Sequence, residues 1–405
     1  MATRFLVRPK RFAASVAGIA ASARVGGRFR ERQIEALVRA RNGFDPESAR
    51  LDQWSQDISA ALPALMKDGR PKRLATLSIS NFAVYQMSPT QANRMRSDLP
   101  EFDVIEDAAV SLIQPPATDE KPTIDATQDL WHLERIGLPA ARKAGRVGTG
   151  DGVQVAVLDS GIADHRELSG RIVPGVHVTG SRGRAVPLQG PFDSDGHGTH
   201  VAGLVCGSNV GVAPGARVVN VLCLPEGNGY VSDILLAIEW ASQQPEISIL
   251  NLSAGVDGFI RGFAQTLDAA LAAGVLPIVA IGNEGRSRTS SPGNYALPLS
   301  VGAATKDNSI ASFSGGGTMN VDNMTYTVPD VVAPGAAVWS SIRSGGYGEW
   351  DGTSMATPIV LGIAALLVER NPEIAALALR DEIEASAKDL GFAADRQGKG
   401  LVVVG

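Results

Sequence analysis

Apolar residues in the second half of the chain fall into short blocks with two alternating spacings. Segments 153–158, 217–222, 247–252, 276–281 and 299–301 are short runs of Val, Ile, Leu and Ala bounded by Gly, Asp or Asn, and read as strands. Segments 199–205, 232–243 and 262–273 lie between them and repeat apolar residues every three to four positions, as helices do. A further apolar run, Ile359 to Val368, has the spacing of a buried helix. Strands that are apolar throughout and alternate with helices predict an α/β fold: a doubly wound, mostly parallel sheet flanked by helices on both faces. Ligand sites in such folds lie beyond the C-terminal strand ends. Asp159 and Asn283 each follow a predicted strand directly.

The first 113 residues follow a different pattern. Phe5-Leu6-Val7, 73–80 and 102–107 read as strands, and 88–99 reads as a helix capped by Ser88, which makes a small α+β unit. Within it, 24–70 is an unassigned insert whose first part carries Arg24, Arg28, Arg30, Arg32, Arg39 and Arg41. The polar, Pro-rich stretch 114–126 reads as a linker, and 127–405 as the second domain.

Composition narrows the function classes. A net charge of −5 over 405 residues gives no reason to expect nucleic acid as a partner. The two cysteines, Cys206 and Cys223, exclude a disulfide framework and read as free, core-packed thiols. No apolar run approaches the length of a membrane span. The basic stretch Arg4 to Arg11, a weakly apolar Ala-rich segment and Ala21-Ser22-Ala23 have the outline of a secretory signal. Their alternative is a first strand and a helix; the poor apolar segment leans to an intracellular protein and leaves secretion open. The chain is expected to be a monomer.

Three segments carry candidate chemistry. Gly352-Thr-Ser354-Met-Ala-Thr-Pro358 puts a serine at the start of the buried helix, with its hydroxyl exposed and its N–H aimed where an oxyanion would develop. Asp159 ends a β-rich run, and Asp195-Gly-His197-Gly-Thr-His200 sets a histidine between glycines. Serine needs a base to become a nucleophile, histidine titrates near neutrality, and a buried carboxylate fixes the imidazole tautomer. Asp159, His197 and Ser354 are therefore the candidate catalytic residues. His197 and His200 are also spaced for a metal, but no HExxH pattern or Cys cluster accompanies them, and no metal ligand is assigned. His132, His165 and His177 have no such context.

Together these segments resemble the subtilisin-like serine protease family (subtilases, peptidase family S8). The resemblance covers about 150–370 and implies a subtilisin-like serine endopeptidase acting on polypeptides. It assigns the catalytic role to His197 and packing to His200. It makes Asn283, in Ala280-Ile-Gly-Asn283-Glu-Gly285, an oxyanion donor beside Ser354, and Ser253, Ala254, Gly255, Gly227 and Gly229 substrate-pairing positions. Residues 1–113 resemble the second half of an inhibitor-type propeptide, which implies an intramolecular partner, a tail at 108–114 and self-cleavage near Ile113. The alternative is a permanent docking or regulatory domain. No cofactor is required; calcium is possible, but the family's calcium loop is shortened to Cys206-Gly-Ser-Asn-Val-Gly211. Residues 318–328 read as an insertion, a surface hairpin or a partner contact, and Gly398-Lys-Gly400-Leu-Val as a final strand. Other acyl transfer with the same residues, or a non-catalytic protease-fold binding protein, are the competing functions.

Overall fold

The computed structural model describes residues 3–10, 50–57, 69–77, 80, 82–113, 129–179 and 184–405. The signal-like stretch beyond residue 10, the arginine run, the linker and most of the 24–70 insert lie outside these residues; the basic start Arg4 to Lys10 lies within them and forms a strand and its end.

Strands β1 (Thr3–Pro9), β2 (Lys72–Leu77), β3 (Phe82–Met87) and β4 (Phe102–Glu106) form an antiparallel sheet in the order β2-β3-β1-β4. Helix α1 (Pro89–Asp98) starts with a capping box in which Ser88 and Gln91 satisfy each other's backbone N–H. Alternation splits this sheet between two cores. Phe5, Val7, Ala83, Tyr85 and Met87 pack under α1 with Ala92 and Met95, while Leu6, Leu77, Phe82 and Val84 point the other way. The segment β5 (Ala109–Leu112) leaves the sheet as an extended tail.

The rest of the chain is built on an eight-stranded sheet. Its strands are β6 (Gln154–Asp159), β7 (Ile172–Thr179), β8 (Arg184–Pro187), β9 (Arg217–Leu222), β11 (Ile247–Leu252), β13 (Leu276–Ala280), β14 (Leu299–Ala304) and β17 (Val331–Pro334). The spatial order is β17-β14-β13-β11-β6-β9-β7-β8, parallel except for the last pair. Outside this sheet lie β10 (Asn228–Tyr230), β12 (Ala254–Asp257) and the hairpin β15–β16 (Gly317–Val321 and Met324–Val328).

Alternation divides the large sheet as well. Val155, Val157, Ile249 and Ile278 face helices α2 (His197–Cys206) and α5 (Thr353–Arg370). Ala156, Leu158, Leu250 and Val279 face α3 (Val231–Ser242) and α4 (Ala264–Ala272). That second core also takes in Leu6, Leu77, Phe82 and Val84, so the outer face of the small sheet closes over α3 and α4.

Two expectations are corrected. The closing segment forms no strand: Leu401 makes single bridges to Val332 and Lys388, because Gly398 and Gly400, at φ 59° and 111°, turn the chain on either side of Lys399. Helix α5 is long and apolar enough to match a membrane span, contrary to the reading of the sequence. Its apolarity is explained by burial against β11, β13 and α2 inside the core. Cys206 and Cys223 are free and buried, on opposite sides of the large sheet.

Candidate active site

Asp159 is the last residue of the central strand β6, and its side chain is fully buried. His197 opens α2 and meets it, with Nδ1 2.9 Å from both carboxylate oxygens. Facing both oxygens of one carboxylate, Nδ1 carries the proton, so in the neutral ring Nε2 keeps the lone pair. The pair packs closely enough to require glycine after the histidine: a Cβ at Gly198 would stand 2.0 Å from the Gly161 carbonyl and 3.1 Å from Asp159 Cβ. Burial pushes the His197 pKa down, but the charge and hydrogen bond of Asp159, with help from Asp195 and Asp193, outweigh it and hold the ring above the ordinary imidazole value.

Ser354 is the second residue of α5 and is buried. Its hydroxyl donates to the Ile113 carbonyl at 2.9 Å, with the Ser253 carbonyl at 3.3 Å as the alternative acceptor. No hydrogen bond joins Ser354 to His197 Nε2, which has no partner among the described residues. The N–H of Ser354 belongs to the first helical turn and has no intrahelical acceptor.

Asn283 lies past the end of β13, and its Oδ1 accepts the Thr353 N–H at 2.9 Å and the Thr353 hydroxyl at 3.0 Å. A backbone N–H can only donate, so the amide orientation is fixed and Nδ2 faces the other way. Nδ2 lies 3.3 Å from where a Cβ would stand at Gly352, whose φ of 152° also suits only glycine. Two donors, Asn283 Nδ2 and the Ser354 N–H, thus flank the nucleophile candidate.

The tail β5 runs between two edges. Asn228, Gly229 and Tyr230 of β10 pair with Ser111, Val110 and Ala109. Ala254 and Gly255 of β12 pair with Leu112 and Ser111, and the Ile113 N–H donates to the Ser253 carbonyl at 3.2 Å. Gly227 does not lie on the paired edge; it ends the short helical turn Pro225–Gly227. The glycines are needed for a reason other than backbone approach by the tail. A Cβ at Gly229 would press on Leu224 at 2.8 Å, and one at Gly255 on the Ser291 carbonyl at 2.9 Å, with Ile113 Cδ1 only 3.5 Å away.

His200 is a packing residue: its ring stacks on Trp350 at 4.3 Å and 3°, Nε2 meets the Gly348 carbonyl, and burial lowers its pKa to about 3. His132 and His165 are also buried against backbone carbonyls, of Val210 and Gly346. The reading of the sequence missed Thr353 and Trp350, which stacks on His197 as well at 6.3 Å. Both lie within four residues of Ser354, and that proximity was the available signal.

The short turn after α2 is organised by Glu167. One carboxylate oxygen accepts from Ser208 Oγ and the N–H groups of Asn209 and Val210, the other from Asn209 Nδ2 and the Tyr347 hydroxyl. Burial raises the Glu167 pKa, but these donors outweigh it and hold the carboxyl below its ordinary value. Among the described residues no group of three or more His, Cys, Asp or Glu side chains could hold a metal ion.

Comparison with known proteins places this geometry. Residues 150–401 match the family described as "Subtilase family". An alkaline protease of Alkalihalobacillus alcalophilus is 36% identical over 315 residues, 75% of each chain. Subtilisin Savinase of Lederbergia lenta is 37% identical over 284 residues, 67% of this chain and 96% of that one. A crystal structure of a cold-adapted subtilisin-like serine proteinase superposes with a TM-score of 0.54 at 31% identity, over 63% of this chain and 89% of that one. A buried Asp–His pair, a helix-start serine and an asparagine donor meet on this fold in a sequence of such descent: the chain belongs to the subtilase family and is a subtilisin-like serine peptidase, a hydrolase of peptide bonds.

Proposed function

We propose that the chain is a serine endopeptidase that works through an acyl-enzyme on Ser354 and is made as a self-inhibited precursor, with 109–113 as its first substrate strand. The observation that carries this reading is the Ser354 hydroxyl, 2.9 Å from the Ile113 carbonyl oxygen, while 109–111 before it pair with β10 and 111–112 with β12.

Ser354 Oγ attacks the Ile113 carbonyl carbon as His197 Nε2 takes the hydroxyl proton. Asp159 holds the imidazole by Nδ1 and stabilises the imidazolium. Negative charge gathers on the carbonyl oxygen, where Asn283 Nδ2 and the Ser354 N–H receive it. Collapse breaks the bond to Gln114, whose nitrogen leaves with the proton from His197. Water, activated by the same histidine, then hydrolyses the ester and frees Ser354. External polypeptides bind as the tail does, by pairing with β10 and β12, and an apolar residue like Ile113 precedes the scissile bond.

Calcium has no part in this reading. Both oxygens of Glu167 face N–H or O–H donors, which would repel a cation, so the turn where relatives bind calcium does not fit one.

A permanently locked form of the same site is the second reading. It is favoured by the apolar face through which β1, β2 and β3 cover α3 and α4. Hydrolysis of the peptide Val-Ser-Leu-Ile-Gln-Pro by wild type, Ser354→Ala and His197→Ala separates the two. Cleavage after Ile by wild type alone supports the peptidase. A folded full chain that stays unclipped and inert toward this peptide, and cuts it only once an added protease has removed the N-terminal unit, favours the lock.

A further inference from the structure

Asp193 was not singled out by sequence, yet its buried carboxylate is among the most heavily bonded in the molecule. The short strand Phe192–Asp193 pairs antiparallel with Gly161–Ile162, which sets Asp193 opposite the turn that follows Asp159. Oδ1 accepts from Ser160 Oγ at 2.8 Å, Asp195 N–H at 3.0 Å and Gly196 N–H at 2.8 Å. Oδ2 accepts from the Thr199 N–H at 3.0 Å and the Thr199 hydroxyl at 2.5 Å. Ser160 completes the link: its N–H donates to Asp159 Oδ1 at 2.7 Å, and its Oγ accepts the Gly198 N–H at 3.1 Å.

We propose that Asp193 is a positioning residue for peptide hydrolysis: its carboxylate ties the turn after Asp159 to the first turn of the His197 helix and so holds the Asp–His pair in register. This rests on the catalytic reading of Asp159, His197 and Ser354.

The partners explain why a carboxylate is needed. All five are donors, so both oxygens must be acceptors. Asparagine offers one acceptor and turns an NH₂ group against the donors at the other. The two ends of the link are the two halves of the Asp159–His197 pair, and a displacement of about 1 Å in such a pair costs on the order of 10² in rate. Asp193 also contributes negative charge near the imidazolium. The other charged groups facing His197 are Asp159 and Asp195, whose Oδ1 accepts the His197 N–H at 3.2 Å, with Arg343 donating to the Asp193 carbonyl at 3.3 Å. Neutral His200 and Trp350 cover the ring side.

The test is the pH profile of kcat and KM for hydrolysis of Val-Ser-Leu-Ile p-nitroanilide by wild type, Asp193→Asn, Ser160→Ala and His197→Ala. Each protein is first clipped after Ile113 by immobilised wild type, which is then removed together with the N-terminal fragment, and checked by intact mass. Asp193→Asn is expected to lower kcat about 10²-fold with KM little changed. Its acid limb should move to lower pH, because removing the charge makes His197 easier to deprotonate. Ser160→Ala should lower kcat by at least about tenfold, since its hydroxyl's bonds to Asp193 and Gly198 are both lost, without moving the acid limb. A folded Asp193→Asn with unchanged kcat, or with reduced kcat and an unmoved acid limb, overturns the proposal, since a plain helix cap would give the latter. If Asp193→Asn does not fold, Ser160→Ala decides, and an unchanged kcat there overturns it. Retained hydrolysis by His197→Ala would instead sink the catalytic reading itself.

Discussion

Among the described residues, the segment 3–113 meets the rest of the chain in two places that differ in kind. At the small sheet the contact is made by side chains. Leu6, Leu77, Phe82 and Val84 enter the core formed with α3 and α4. Asp107 caps α3 from outside by accepting from the N–H and hydroxyl of Ser232 at 2.9 and 2.7 Å. Ser80 donates to buried Glu239 at 2.6 Å. At the tail main-chain pairing is added, with β5 paired to β10 and β12 while Val110 and Leu112 bury their side chains in the same core. A side-chain interface recognises one partner, whereas main-chain pairing accepts any extended peptide and leaves selectivity to a few pockets. If 109–113 is the first substrate strand, as proposed above, the difference separates holding from cutting. The face keeps the tail at high effective concentration, and it would keep it there after the bond beyond Ile113 is broken.

The comparison can be broken at either place. His197→Ala removes the base and leaves both contacts intact. Peptide hydrolysis should fall about 10⁶-fold, the scale found on removing this residue in a subtilisin, with the melting temperature preserved. Asn283→Ala should lower kcat by about 10²–10³, again on the scale of that family, and leave KM nearly unchanged in steady-state assays. Phe82→Ala acts on the face alone. It removes about 3–5 kcal/mol of buried contact, so size-exclusion after clipping should show the N-terminal fragment leaving where the wild-type fragment stays. The pH dependence sharpens the tail side. Asp159 raises the His197 pKa, and the base works only when neutral. Self-cleavage should therefore slow tenfold per unit as pH falls below a midpoint above the ordinary imidazole value of about 6.5, and stay level above it. The smallest effect is expected from Asp107→Ala, which costs about 0.5–2 kcal/mol as a lost cap and should speed fragment release modestly.

Much of the large sheet was legible because its strands are apolar on both faces and its helices carry three- and four-residue spacing. The candidate site was legible where a motif concentrates chemistry in a few residues, as at Asp159, His197, Asn283 and Ser354, which the fold brings to one place. The strands 82–87, 172–179 and 331–334 escaped. The second mixes its apolar residues with Pro174, Gly175 and His177, and the third is a short edge strand ending in Pro334. The closing segment misled because Leu401 and Val402 read as extended chain, while the φ values of Gly398 and Gly400 decide the path. Asp193 and Glu167 were invisible for another reason. Each acts by collecting donors from segments dozens of residues away or across a turn, and no local pattern in the sequence marks that.

The most direct measurement is an intact-mass time course of the purified full chain, wild type beside Ser354→Ala. The account predicts a single cut after Ile113 in wild type and an unbroken chain in the variant. An unbroken wild type, or the same cut in Ser354→Ala, would contradict it.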